Sequence, residues 1–438
     1  MKISAIITKI GNSTRSVSFL NSFFSALVGL LSFMLLARLL SVADFGLWAF
    51  FLSVFTMFDM LRSGLLSSAT IKYYTEGQEA HELVQIEKSV LQLSTAVTFL
   101  SFLFPLVYFV FGFQNAKPEL YTLAVGVVPL SFVSILPTLA TWIAQAKQNF
   151  RVILRIRMII QLTFFLVIAS GYIWPIDLEL VFYGYCLSYA LAALWVLFTG
   201  RVKLMLLFGA LGTWCKRIVK FGGYSMGTLL GSNLLRNSDT YIIMAFLNEA
   251  SVAIYNVPNR IMGLLDIPIQ AFSSADYPRL VSLIEKKQFS ELQTSFNKGL
   301  GISLLVVWPA AILVFFAAKW IVVLIAGIQY ENSYLIMRIF AIYAMLLPLD
   351  RYTGLMLDAL GIPKRNMAKV VLMLVANVVL DIVVLTAGYG LEAVAAVSLI
   401  TYSTGIVFGF SSIKHVVRIQ LLQSLSLAIR LVLSKMKR

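Results

Sequence analysis

The stretch NLLRNSDTYIIM, at positions 233–244, places an arginine and an aspartate three residues apart in an otherwise apolar run. Arg236 and Asp239 would share one face of a helix, as would Asp59 and Arg62 in an earlier apolar run. An ionised side chain at the centre of a bilayer costs about 3 kcal/mol or more unless it is paired or faces water. Each pair therefore either neutralises itself or lines a hydrated path, and the spacing alone is consistent with both interpretations.

Other ionisable residues also fall near the centres of apolar runs. Arg260 and Asp266 are six residues apart, on different faces of one helix, so they need partners on other helices or water. Asn237 and its neighbours add neutral hydrogen-bonding groups beside Arg236. We predict that these residues converge on one polar cavity. The candidate basic and amide groups are Arg62, Arg236, Arg260, Arg351, Asn233 and Asn237, and the candidate carboxylates are Asp59, Asp239, Asp266, Asp350 and Asp381.

The elements that hold these charges are predicted to be membrane-spanning helices. The chain is 60% hydrophobic and only 13% charged, and apolar runs of about 20 residues, enough to cross a bilayer, recur throughout. The first run is followed by many others and is expected to be a retained helix rather than a cleaved signal peptide. The predicted spans lie near 17–40, 47–70, 89–112, 119–144, 152–173, 178–199, 221–246, 251–274, 300–318, 333–358, 367–387 and 393–411.

The formal net charge of +15 is explained by membrane topology. Of the 35 lysines and arginines, 27 lie in or beside the segments on one side of the predicted spans, 3 lie on the other side and 5 lie within spans, and the positive-inside rule assigns the richer side to the cytoplasm. Both termini are therefore expected in the cytoplasm, and the basic residues are expected to meet anionic lipid headgroups rather than nucleic acid. The inner segments 200–220 and 275–299 are basic and amphipathic and are expected on the membrane surface, and the basic tail, 412–438, is either a surface helix or a solvated end.

An internal repeat predicts two lobes. A shift of 207 residues aligns LLSVADFGLW, at 39–48, with FLNEASVAIY, at 246–255, and it aligns Asp59 with Asp266. Six spans return a chain to its starting side, so the two copies would share one orientation, as in transporters built from parallel repeats. The predicted fold is an all-α polytopic membrane protein with about twelve transmembrane helices in two six-helix lobes around a central cavity. The predicted lobes are 1–210 and 211–411, followed by the cytoplasmic tail 412–438.

The sequence carries no recognisable motif for enzymatic chemistry. It has no phosphate-binding GxxxxGK, no HExxH, no serine-nucleophile elbow and no Cys/His cluster. Two cysteines far apart indicate neither a disulfide framework nor a metal motif. We predict a non-enzymatic protein with no cofactor and no metal site. Any transport would draw on an ion gradient, the membrane potential or the gradient of the substrate.

Two segments carry a family resemblance. The stretch LLARLLSVADFGLWAFFLSVFTMFDMLRSGL, at 35–65, resembles the first helix-turn-helix of bacterial polysaccharide flippases of the O-antigen (Wzx) type. The stretch VAIYNVPNRIMGLLDIPIQAFSSADYPRLVSL, at 252–283, resembles a later segment of the same family more closely. That family belongs to a superfamily that also contains multidrug exporters and peptidoglycan-precursor flippases.

The resemblance implies a flippase that moves undecaprenyl-pyrophosphate-linked oligosaccharide across the bacterial inner membrane, for O-antigen or a similar polysaccharide. It implies that the arginines contact the pyrophosphate, since a guanidinium forms paired hydrogen bonds with phosphate. The aspartates would balance charge, bind sugar hydroxyls or carry a coupling ion, H+ or Na+, and polysaccharide polymerase machinery is a further implied partner. Two alternatives stay open: a cation-coupled multidrug exporter, and a structural partner in a polysaccharide assembly complex.

Overall fold

The computed structural model describes residues 14–77, 79–110, 118–208, 212–418 and 420–436. Its regular elements are α-helices joined by short turns and 3-10 segments, and the described ranges contain no β-strand. The chain divides into two compact units, Met1–Asn233 and Leu234–Arg438. The predicted lobe boundary at 210–211 falls outside the described residues, as do residues 419 and 437–438 of the predicted tail.

The first unit contains the helices up to the middle of α9. They are α1 (Thr14–Leu39), α2 (Val42–Glu76), α3 (Ala80–Thr98), α4 (Leu103–Val110), α5 (Pro118–Val133), α6 (Ile135–Ala146), α7 (Phe150–Ala169), α8 (Leu178–Phe198) and the start of α9 (Cys215–Phe246).

The second unit begins within α9 and includes all later helices. They are α10 (Glu249–Met262), α11 (Asp266–Glu285), α12 (Phe289–Ala326), α13 (Tyr334–Ala344), α14 (Leu347–Ala359), α15 (Pro363–Thr386), α16 (Leu391–Ile413) and α17 (Leu421–Met436).

The all-α membrane fold predicted from the sequence is confirmed, and helical segments overlap all twelve predicted spans. Within the described residues, eight helices are long and apolar enough to cross a membrane, or nine when the bent pair α13 and α14 is taken as one span. Helices α9, α10 and α11, which carry Arg236, Arg260 and Asp266, are not among them. The segment 275–299, predicted on the membrane surface, instead continues α11 and α12 and turns only at 286–288.

Prolines explain four of the helix breaks. A proline has no N–H to donate to the carbonyl four residues earlier, and its ring clashes with that carbonyl. Helix α5 ends four residues before Pro137, and α13 ends four residues before Pro348, where the pair α13 and α14 bends by 42°. The 3-10 segments Phe99–Phe102 and Gly263–Leu265 contain the residues four before Pro105 and Pro268.

The internal repeat is visible in the helix caps. The Ser41 side chain accepts a hydrogen bond from the backbone N–H of Asp44 and caps α2. At the aligned position, the Asn248 side chain accepts the same bond from the N–H of Ser251 and caps α10. Serine and asparagine both satisfy an N–H that the helix itself leaves unpaired. The two copies therefore start their second helix in the same way.

A close helix crossing in the first unit depends on Gly222 of α9. A Cβ added there would lie 1.7 Å from the carbonyl oxygen of Leu65 on α2, so only glycine fits this contact. The neighbouring glycines of the GGYSMGTLLG stretch behave differently, since a Cβ on Gly223 or Gly227 would meet nothing within 4 Å. Gly223 and Gly227, which are four residues apart on one helix face, therefore take no part in the close approach.

We expect Gly222→Ala to destabilise the protein by about 1–3 kcal/mol, because the added methyl group forces two backbones apart. Gly223→Ala is the matched control, and it should leave stability unchanged or raise it, since alanine favours a helix by about 1 kcal/mol over glycine. Thermal unfolding of both purified variants in the same detergent provides the measurement. Equal melting temperatures for the two variants would contradict the crossing.

Candidate functional site

Arg62 is held inside the first unit by partners on four helical segments. Its side chain is 2% exposed and forms an ion pair with Asp59, one turn earlier on α2. Its two terminal nitrogens also donate to the carbonyl oxygen of Ser131 at 2.9 Å and to the hydroxyl oxygens of Ser134 at 3.0 Å and Thr98 at 3.4 Å. With so many acceptors already engaged, the geometry favours a structural tie between helices over the predicted substrate contact.

A second charged cluster, in the second unit, is open. Arg236 on α9 does not pair with Asp239 on its own helix; its Nη2 atom lies 3.0 Å from Oδ2 of Asp266 on α11. The Arg236 side chain is 64% exposed and that of Asp266 is 29% exposed. Arg351 on α14 is also exposed, and its Nε donates to the hydroxyl of Ser273 at 3.2 Å. Arg236 therefore pairs with Asp266, and the charge of Arg351 also acts on this carboxylate.

The remaining carboxylate of this region, Asp350, forms an ion pair with a different basic residue. Lys369 on α15 donates to Oδ1 of Asp350 at 2.8 Å and to its backbone oxygen at 3.0 Å. The Lys369 side chain is only 3% exposed, which makes this a buried pair that fastens α14 to α15. Lys369 falls near the start of the predicted span 367–387 but is not among the predicted site residues. With Asp350 neutralised in this way, Arg351 keeps its positive charge available.

Asp239 and Asp381 form a third cluster, which holds two carboxylates and no basic side chain among the described residues. Asp381 on α15 is fully buried. The amide nitrogen of Asn377 donates to Asp239 at 2.5 Å and to Asp381 at 2.9 Å, and the Tyr255 hydroxyl donates to Asp239. Thr401 on α16 donates to the amide oxygen of Asn377 at 3.0 Å. Four helices thus place five oxygen-bearing side chains around one buried point.

Two tyrosines lie beside the open charged cluster. The rings of Tyr343 on α13 and Tyr402 on α16 are 5.1 Å apart and tilted by 35°. Both are half-buried, and both feel the charges of Arg236 and Asp266. The sequence analysis missed this pair because aromatic residues in apolar helices usually pack in the core, and nothing in the local pattern marks these two.

The other predicted residues occupy separate positions. Arg260 is exposed in the last turn of α10, Asn233 is buried at the end of the first unit, and Asn237 is half-buried. The predicted self-pairing therefore holds for Asp59 with Arg62, whereas Arg236 and Asp266 meet across two helices. Of the eleven predicted residues, the second unit brings together Arg236, Asp266, Arg351 and Asp350 in one region, and Asp239 and Asp381 in another.

Comparison with known families decides where this chain belongs. A family model described as polysaccharide biosynthesis protein matches residues 15–284, which is more than half of the chain. The chain belongs to the polysaccharide biosynthesis protein family. A second model, MatE, matches residues 225–383, the part that contains both clusters of the second unit. No curated protein matches this member of the family.

Solved structures show that this polysaccharide biosynthesis protein shares its fold with membrane transporters. The lipid II flippase MurJ in an inward closed conformation has a TM-score of 0.74 at 17% identity, over 94% of this chain and 89% of that one. An inward-facing multidrug resistance MATE transporter of the MOP superfamily has a TM-score of 0.73 at 14% identity, over 90% and 95%. A MOP superfamily transporter from Pyrococcus furiosus, described by a binding pocket of reverse polarity, has a TM-score of 0.54 at 15% identity, over 92% and 93%.

The two arginine environments predict opposite effects on stability. Arg62→Ala should lower the stability of this family member by about 3 kcal/mol, because it leaves Asp59 and several buried acceptors without their donor. Arg236→Ala should change stability by about 1 kcal/mol or less, because an exposed ion pair contributes little. Melting temperatures of the two variants, purified in one detergent, compare them directly. A larger fall in melting temperature for Arg236→Ala than for Arg62→Ala would show that the exposed cluster is the one that stabilises the fold.

Proposed function

We propose that the protein flips undecaprenyl-pyrophosphate-linked oligosaccharide across the bacterial inner membrane by alternating access. The observation that carries this proposal is the open cluster of the second unit. Arg236 pairs with Asp266, the charge of Arg351 also acts on that carboxylate, and Asp350 is already paired with Lys369. A membrane helix retains exposed guanidinium groups only at a cost, and an anionic substrate that crosses the membrane explains why they are kept.

The chemistry of a pyrophosphate headgroup fits these two arginines. Each guanidinium offers paired donors in a planar fork that matches two oxygens of a phosphate. In the absence of substrate, Asp266 partly balances both charges. A doubly charged pyrophosphate would take the place of that carboxylate as the partner of Arg236. Asp266 thus acts as an internal substitute for the substrate, which keeps the guanidinium groups satisfied between transport cycles.

The tyrosine pair gives this site a surface for the sugar. Carbohydrate rings carry apolar C–H faces and polar hydroxyl edges, and tyrosine offers an apolar ring with a hydroxyl at its tip. Tyr343 and Tyr402 lie next to the cluster of Arg236 and Asp266. A headgroup bound by the arginines would place its first sugar within reach of these rings, while the lipid tail stays in the bilayer.

We further propose that Asp239 and Asp381 hold the coupling ion, H+ or Na+. Two buried carboxylates that share one amide donor repel each other when both are ionised. A single positive charge between them removes that repulsion, and Oδ1 of Asp381 is buried with no hydrogen-bond partner in the described part of the chain. Carboxylate, amide and hydroxyl oxygens are ligands suited to a hard cation.

A cation-coupled multidrug exporter is the second candidate. The MatE match covers residues 225–383 and therefore includes Asp239 and Asp381. A pair of carboxylates without a basic partner would equally suit an organic cation. The two candidates differ in which cluster carries the substrate: the arginines in a flippase, and the carboxylates in an exporter.

Removal of either arginine of the open cluster should slow flipping without lowering the amount of protein in the membrane. In a deletion strain, Arg236→Ala and Arg351→Ala should slow flipping about tenfold or more each, since one hydrogen bond to a charged group contributes about 1.5–3 kcal/mol. Extraction of lipid-linked oligosaccharide, together with an assay of surface polysaccharide, measures the effect. Arg365→Ala removes an exposed arginine at the start of α15 and serves as the control.

If the protein is a flippase, complete repeat units should accumulate on the lipid carrier in Arg236→Ala and Arg351→Ala. Both variants should reach the membrane at normal levels. Normal surface polysaccharide in both would contradict the proposed substrate site. Intact polysaccharide with new sensitivity to cationic drugs in the deletion strain would favour the exporter instead.

The ion proposal is tested on the purified protein. If Na+ binds between the carboxylates, NaCl should raise the melting temperature and equal concentrations of KCl or choline chloride should not. If the pair holds a proton, the melting temperature should rise as the pH falls, because protonation removes the repulsion between the carboxylates. Asp381→Asn should abolish either response, whereas Asp358→Asn, which alters an exposed carboxylate bound to Asn366, should keep it. A wild-type protein that responds to neither treatment would refute the coupling site.

A further inference from the structure

A basic cavity in the first unit is lined by none of the residues that form the three charged clusters. Its volume is about 410 Å³, and it is formed where the turn between α6 and α7 meets the turn after α8. Both turns contain a residue with positive φ, Gln148 at 53° and Gly200 at 62°, which brings the chain back sharply at these points. The charged residues that line it are Glu87, Lys147, Arg201 and Lys203.

The cavity has an excess of positive charge. Three cations face one carboxylate, and Glu87 already accepts a hydrogen bond from the Tyr74 hydroxyl at 2.7 Å. Lys147 and Lys203 both act on Glu87 electrostatically, and Arg201 lines the same cavity. Asn149 also lines the cavity at the N-terminal end of α7 and forms no side-chain cap there. The helix dipole adds partial positive charge at this end.

Arg201 provides an unused hydrogen-bond donor. Its Nε atom is buried and has no partner in the part of the chain that the structure describes. Its guanidinium group lies 5.1 Å from the ring centre of Trp195. A buried donor without an acceptor costs free energy, and an oxygen-bearing anion in the cavity would satisfy it.

Exposed apolar side chains next to the cavity indicate where that anion comes from. The 3-10 segment Leu204–Leu207 follows Lys203, and Leu206 and Leu207 pack into the core of the unit. Met205 is 85% exposed and Phe208 is 74% exposed on the other side. Apolar side chains beside a basic pocket are typical of a segment in the membrane interface, and the positive-inside count places it on the cytoplasmic leaflet.

We propose that this cavity binds the phosphate of an anionic phospholipid headgroup in the cytoplasmic leaflet. Arg201, Lys203 and Lys147 would contact the phosphate oxygens, and Met205 and Phe208 would enter the acyl region beside the lipid. Basic pockets between transmembrane helices on this side of a membrane bind such headgroups in other proteins. The bound lipid would fasten two turns that belong to different parts of the first unit and so stabilise that unit.

The test measures thermal unfolding of the full-length protein in a neutral detergent with added phosphatidylglycerol, phosphatidylcholine or inorganic phosphate. Phosphatidylglycerol should raise the melting temperature, and the other two should not. The double variant R201Q/K203Q should bind phosphatidylglycerol about 30-fold more weakly, because each basic group near an anionic surface contributes about 1 kcal/mol. Lys216→Gln with Lys220→Gln removes the same charge from exposed positions of α9 outside the cavity and should leave the response unchanged.

Each outcome decides the proposal. An equal effect of inorganic phosphate would show a site for a soluble anion and overturn the lipid assignment. If both double variants lose the stabilisation by phosphatidylglycerol equally, the overall charge of the protein, and not the cavity, attracts the lipid. If R201Q/K203Q does not fold, native mass spectrometry of phosphatidylglycerol retained on Lys147→Gln gives a second measurement. Unchanged retention on that variant would overturn the assignment of the lipid site to this cavity.

Discussion

The need to match every ionised side chain inside a membrane determines much of this structure. A charge in hydrocarbon is retained only with a partner, a hydrogen-bond network or access to water. Arg62 has a carboxylate and several oxygen acceptors, and Lys369 has a carboxylate and a backbone oxygen. The charges of these two cations are matched by carboxylates within the protein itself. Those of Arg236 and Arg351 are not matched in this way, since both act on Asp266 and both side chains remain exposed.

The proline breaks supply several of these partners. The break before Pro137 lies at Ser134, whose hydroxyl accepts a hydrogen bond from Arg62. The break before Pro268 makes Asp266 the first residue of α11, and the bend at Pro348 places Asp350 in the first turn of α14. A carboxylate is stabilised at a helix N-terminus by the unpaired N–H groups and the helix dipole. The same prolines that interrupt the spans therefore create positions where an acidic residue is tolerated at membrane depth.

The sequence predicts the fold well and the site only in part. Apolar runs locate the helices because hydrophobic length is a local property of the sequence. Spacing within one helix also identifies the pair of Asp59 and Arg62 correctly, since both partners lie on one face. It cannot identify the partner of Arg236, which lies thirty residues away on α11, because packing between helices decides that contact. Lys369 and the tyrosine pair are missed for the same reason: their roles arise from neighbours on other helices.

The repeat makes the difference between the two units informative. Asp59 and Asp266 occupy equivalent positions, but only the first copy has an arginine one turn later on the same helix. In the second copy the position aligned with Arg62 is Ile269, a buried apolar residue. Asp266 must therefore find its cation on another helix, and it does so in Arg236, whose side chain is 64% exposed.

This change of partner has a functional consequence. A cation enclosed among helices on every side, as Arg62 is, cannot exchange its carboxylate for another anion without unfolding its surroundings. A cation that reaches its carboxylate from a neighbouring helix and remains exposed can make that exchange by a small movement. Under the proposed function, an external phosphate would make that exchange at the ion pair of the second copy, which the enclosed pair of the first copy does not allow. This is the property that a transport site requires, because binding and release must both be possible within one cycle.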